Sequence, residues 1–163
     1  MPVLPDLRDP CDALDKLARE RLRVLGATND VEIVDHFLNF CITGWALGDY
    51  VKHAFHLLGA AEQNAYSVWL GNPLIAACRD IANRTKHFQL DKKATTREVR
   101  ISKRGVVDVY ANEKGDLFPE LRENAPVIEV VLDNGTHHDM WEFLHGVITY
   151  WENDLRTRGL ECP

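Results

Sequence analysis

No apolar run in this chain reaches the roughly 20 residues that a membrane-spanning helix requires. The opening "MPVLPDLRDP" has neither the basic start nor the apolar stretch of a secretory leader. A cytoplasmic protein with no membrane partner is therefore expected. Cysteine is sparse: Cys11, Cys41, Cys78 and Cys162 lie far apart and form no CxxC pair. Three of them fall in helical patterns, where a reduced, buried thiol is the usual outcome, so no disulfide framework is expected. Positive charge is in deficit, with a net charge of −6, which argues against coating nucleic acid by bulk electrostatics. A local basic cluster does exist in Arg97, Arg100, Lys103 and Arg104. It reads either as a patch for an acidic partner or as a strand edge defended by charge. Internal repeats and low-complexity tracts are missing. So are GxxxxGK[ST], GxGxxG after a strand, GxSxG and HExxH. Their absence removes P-loop hydrolysis, dinucleotide oxidoreduction, serine hydrolysis and zincin proteolysis from the leading readings.

What is present is a globular composition, 45% hydrophobic and 27% charged, over a length that suits a single domain, 1–163. "DPCDALDKLARERLRVLG" announces a first helix: Asp9 caps, Pro10 suits the first turn, Leu14, Leu17, Leu22 and Leu25 recur, and Gly26 stops it. A second helix reads from Thr28–Asp30 to Leu58, with Gly44 and Gly48 as bending points. "AAEQNAYSVWL" is a short third helix, and Asn72–Pro73 open a fourth. After Asp91 the text turns β-rich. "TTREVRIS" and "GVVDVYA" read as a hairpin turning at Lys103–Arg104, and Asn112 to Pro126 as a loop. "PVIEVVLDNGT" reads as a third strand with an Asn-Gly turn. Thr136 and Asp139 form a candidate capping box for a last helix carrying Trp141, Leu144, Val147, Ile148, Trp151 and Leu155. The expected fold is α+β. A helical part (1–90) is followed by a three-stranded antiparallel insertion (91–136) and a C-terminal helix (137–158) that packs back on the bundle.

The chemistry concentrates in "RDIANRTKHFQL". On a helical wheel Leu74, Cys78, Ile81, Ala82, Thr85 and Phe88 take the core side. Arg79, Asn83, Lys86 and His87 fall within about a third of the circle opposite, at about 100° per residue. Such a stripe is ordinarily a solvated face. Its residue types also suit a phosphodiester: arginine as a planar fork for phosphate, histidine as a proton carrier near neutral pH, asparagine as an orienting group.

"RDIANRTKHF" resembles the signature helix of HEPN proteins, helical-bundle domains found in RNases, toxin–antitoxin pairs and phage defence. Asn83 and His87 match the polar residue and the histidine of that motif. Ala82 stands where the family carries its arginine, and Arg79 lies one turn earlier. The resemblance implies an RNA- or nucleotide-binding protein in a defence or toxin context, paired as a homodimer through its motif helices. It implies binding as much as cleavage. Any cleavage would be that of a metal-independent endoribonuclease without cofactors. His87, Arg79 and Asn83 would form the catalytic set, with Lys86 and Arg84 binding substrate.

Two other readings stand beside it. One is a non-catalytic interaction or immunity module, docking a protein partner through its acidic surface and hairpin edge. The other is a metal-binding helical bundle built on Asp49, His53 and His56, one turn apart on the second helix. A structural pairing of Asp49 with His53 or Lys52 is the plainer expectation there, with Asp35 and Asn39 further along the same side. His137, His138, Asp139 and His145 read as cap and surface residues, and Trp45, Trp69, Trp141 and Trp151 as core or interface.

Overall fold

A computed structural model of the chain describes residues 7–84, 96–111 and 115–163, and of Arg97 the backbone alone. The first helix, α1 (Pro10–Gly26), starts at the expected cap. The Asp9 carboxylate accepts from the Cys11 and Asp12 N–H at 2.8 and 3.0 Å, and Asp12 accepts back from the Asp9 N–H. Its buried stripe is Ala13, Leu14, Leu17, Glu20 and Val24. Leu22, expected among the core leucines, is exposed. It stands five residues after Leu17, about 140° round the helix.

Helix α2 runs Asp30–Ala54 behind an Asn29 cap and does not reach Leu58. The chain leaves it at His56, whose φ of 50° is left-handed, and the Leu57 N–H donates to the Lys52 carbonyl at 3.0 Å. Gly44 and Gly48 lie within one continuous helix. They permit close approach: a Cβ on Gly48 would lie 3.0 Å from the Trp69 ring, and one on Gly44 would lie 3.3 Å from Val147. Helix α3 (Ala60–Gly71) supplies Trp69 to the core. Helix α4 (Pro73–Arg84) is capped by Asn72, which accepts from the Leu74 and Ile75 N–H.

The sheet is three-stranded and antiparallel, in order β1 (Thr96–Ala111), β2 (Leu117–Leu132), β3 (His137–Asp139). The expected turn at Lys103–Arg104 is absent. Both residues are paired in register with Pro126 and Ala125, and the irregularity there is a bulge between Arg104 and Val106. Asn124, at φ 56°, lies opposite it. The two sequence runs are one long strand, because alternation resumes directly beyond Gly105. The stretch expected as a loop is mostly the outer half of β2. Pro119 and Pro126 fit there because β3 covers only Glu129–Val131, leaving the second edge of β2 open beside both prolines. The Asn-Gly turn is as expected, with Gly135 at φ 82°.

Helix α5 (Met140–Thr157) is capped by Asp139, which accepts from the Glu142 N–H at 2.8 Å, so the cap lies three residues later than the expected box at Thr136. Leu144, Val147, Ile148, Trp151 and Leu155 are buried as expected, while Trp141 is exposed. The Trp69 and Trp151 rings meet at 5.5 Å in the core between α2, α3 and α5.

Cys11 and Cys162 form a disulfide, which corrects the expectation of reduced thiols. Spacing of 151 residues hides a Cα separation of 5.3 Å, because the start of α1 lies beside the tail that follows α5. Cys41 and Cys78 are buried and free, and burial pushes the Cys41 thiol well up from its ordinary value. Among the described residues no helix is long and apolar enough to cross a membrane.

Candidate functional site

Helix α4 distributes the motif residues unequally. Asn83 and Arg84 are exposed on its last turn. Arg79 is half-buried, and its Nε and Nη2 donate to Asp80 Oδ1 at 3.1 and 2.7 Å. Asp80 itself is 4% exposed, and its Oδ2 accepts from the Thr96 N–H at 3.0 Å, tying α4 to the first residue of β1. A buried carboxylate requires such partners. Lys86 and His87 lie outside the described residues. Ala82 is buried, so the position that holds the arginine of the HEPN motif faces the core in this chain.

The residues of the metal reading do not converge. The Asp49 carboxylate is taken by Lys52 at 3.1 Å, whose Nζ also meets Glu62 at 2.9 Å and lies over the Tyr66 ring. These two acids push Lys52 up to about 12, the Glu62 bond contributing most. His53 and His56 are exposed, and His56 lies beyond the end of the helix that was to align it. No group of three or more metal-ligating side chains occurs among the described residues. The pairing of Asp49 with Lys52 is as expected. His137 contacts Glu129 at 3.2 Å and Asp139 caps α5, so the cluster at the start of α5 is made of cap and surface residues. In the basic segment, Arg100 pairs with Glu98 and Glu129, and Lys103 lies 3.8 Å from Asp30.

The most unusual surface is the outer half of the β1–β2 hairpin. Beyond the bulge the register pairs Val107 with Leu121, Val109 with Pro119 and Ala111 with Leu117. Directly opposed residues share a face, so these six side chains form one outward surface. All six are exposed. The opposite face carries Asp108, Glu120 and Arg122 and turns toward the end of α1. There Arg122 donates through Nη2 to the Leu25 carbonyl at 2.8 Å and through Nη1 to the Ala27 carbonyl at 3.1 Å, while Nε pairs with Asp108. A cation on the last carbonyls of α1 is favourably placed for the helix dipole. Beside it a groove of 610 Å³ runs between Leu25, Val106, Arg122 and Trp141. At the tip, the cross-strand pair Tyr110 and Phe118 is exposed as well.

Asp80 and Arg122 were not singled out from the sequence. A charged residue at a core position of a helix signals the first, since such a group is buried only when paired. The second lay inside a segment whose Gly and Pro content masked the alternation of Leu117, Pro119 and Leu121. No family model, no curated protein and no solved structure matches this chain.

Proposed function

We propose that this chain is a non-catalytic protein-interaction module whose docking element is the hairpin arm, residues 106–111 with 117–122. One observation carries the reading: an anchored two-stranded arm exposes apolar side chains in an unbroken row along one face. An isolated hairpin is marginal in water, and the largest apolar patch on a monomer is often functional, which supports reading this face as a docking surface. The test compares the wild-type chain and Leu121→Lys after cross-linking in native cells. A protein partner joined to the wild type is lost with the variant, whose near-ultraviolet dichroism is retained. Equal recovery with both proteins sinks the reading.

A second reading is favoured by the exposed Asn83 and Arg84, with Arg79 one turn back. In that reading the chain follows the HEPN resemblance and binds RNA or a nucleotide along α4. Arg79, Arg84 and Lys86 contact phosphate, Asn83 orients it, and His87 moves the proton if cleavage occurs. Incubation with single-stranded RNA decides the catalytic version. Cutting that is absent, or unchanged in His87→Ala, removes it, and undiminished RNA affinity in Arg84→Ala removes the binding version.

A further inference from the structure

We infer that the outward face of the hairpin arm docks on the same face of a second copy of this chain, about a two-fold axis near Val109. The inference rests on the interaction reading and names its partner. From the bulge to the tip, the six residues of this face are Val107, Val109, Ala111, Leu117, Pro119 and Leu121, none of which carries a charge or a side-chain hydrogen-bonding group. A nucleic acid, an acidic peptide or a polar loop gains nothing from such a surface. Its complement is another flat apolar sheet face, and the face is its own complement, as a two-fold interface requires.

The area supports the same occupant. Val107, Val109, Leu117 and Leu121 are between 59% and 69% exposed. With Ala111 and Pro119 they present on the order of 500 Å² of apolar surface, toward the upper end of the largest patch on an ordinary monomer, a patch that is often functional. Pairing two such faces buries about 1,000 Å² in total, the lower limit for a specific interface. Two ribbons stacked in this way form a small sandwich about 10 Å between sheets, which gives each arm the second layer it lacks alone. The central cross-strand pair is Val109 with Pro119, so a two-fold axis through the middle of the face brings position 109 close to its own counterpart. The arm is held for this role from behind, by Arg122 on the Leu25 and Ala27 carbonyls at the end of α1. The expected homodimer through α4 is thereby moved to a different surface.

The experiment is sedimentation velocity on the full, oxidised chain at micromolar concentration, for wild type, Val109→Lys and Val109→Cys. The wild type is expected at twice the 18.6 kDa chain mass and Val109→Lys at once that mass, with helical dichroism unchanged. Val109→Cys adds one exposed thiol to a chain whose own four cysteines are bridged or buried. Mild oxidation is expected to convert it to a covalent dimer, which also decides the matter if Val109→Lys fails to fold. A monomeric wild type that does not cross-link in the Val109→Cys form overturns the inference. If that monomer still captures another protein through the arm, only self-docking has failed. A dimer that survives Val109→Lys and does not cross-link through position 109 overturns both self-docking and this face as the docking surface.

Discussion

At the scale of single residues, the side chains that organise this molecule are those whose polar groups had to be satisfied on burial. Asp80 is the clearest. Its carboxylate joins Arg79 to the backbone of Thr96 and so sets where the sheet begins relative to α4. Asp80→Ala leaves the Thr96 N–H and the Arg79 guanidinium without this acceptor, and a cost of about 2–3 kcal/mol is expected in urea unfolding. A cost under about 0.5 kcal/mol, the level of an ordinary surface change, would show that the tie carries no stability.

Tyr150 makes a second residue-scale prediction. Its hydroxyl is buried with no hydrogen-bond partner among the described residues, and burial pushes its ionisation up to about 12, with the Asp154 carboxylate adding to the rise. An acid whose folded value is raised holds its full contribution below its unfolded value of 10.0 and loses it as pH rises toward 12. Lys52 acts in the same direction between 10.5 and about 12. Thermal midpoints should therefore fall across this alkaline window, and Tyr150→Phe should flatten the fall while leaving stability at neutral pH unchanged or higher. An identical slope in the variant would contradict the assignment. The same scale explains what was legible in the motif. Ala82 and Ile81 declared the core face of α4 by their spacing, but Asp80 beside them did not declare itself. Wheel position alone does not reveal that a carboxylate has a partner sixteen residues away.

At the scale of elements, the helices and a three-stranded antiparallel sheet before the last helix were legible, and the bounds and pairing of the strands were not. Helix starts are written locally, in Asp9–Pro10, Asn29, Asn72–Pro73 and Asp139, and each of these residues caps or opens a helix as its chemistry dictates. The hairpin is written non-locally. Gly105 looks like a turn residue, yet it sits in a bulge because Lys103 and Arg104 find partners across the sheet. Pro119 looks like a strand breaker, yet it is placed where β2 has an open edge. Cross-strand register, which decides both, has no signature within a short window of sequence.

The arm's attachment is also an element-scale property, because one guanidinium reaches the Leu25 carbonyl of α1 and the Ala27 carbonyl just beyond it. Arg122→Ala should cost about 2 kcal/mol and speed amide exchange across residues 106–111 and 117–122, measured by mass spectrometry. Arg122→Lys should not restore protection, since a single ammonium lacks the planar fork that spans both acceptors and Asp108. Full protection in Arg122→Lys would mean that charge alone holds the arm.

At the scale of the whole molecule, the Cys11–Cys162 bond closes nearly the full chain into a loop. In the chain-entropy account such a bond contributes about 5 kcal/mol. Reduction should therefore lower the unfolding midpoint markedly, and Cys11→Ser with Cys162→Ser should match the reduced wild type. A midpoint indifferent to reductant would contradict a stabilising staple. No pattern in the sequence announced this bond, because it depends on where α1 and the tail after α5 meet in space. Of the candidate site on α4, spacing placed Arg79 and Asn83 away from the buried side of the helix, and Lys86 and His87 lie outside the described residues. The docking face was invisible for the same reason as the hairpin: its six residues come together only once β1 and β2 are in register.

The measurement that tests the account most directly is amide hydrogen exchange across the arm as a function of protein concentration. Two copies docking face to face predict that residues 106–111 and 117–122 exchange slowly in concentrated solution and quickly on dilution, while the amides of α2 and α5 do not change. Exchange of the arm that is equally fast at every concentration would contradict the claim that a second copy covers it.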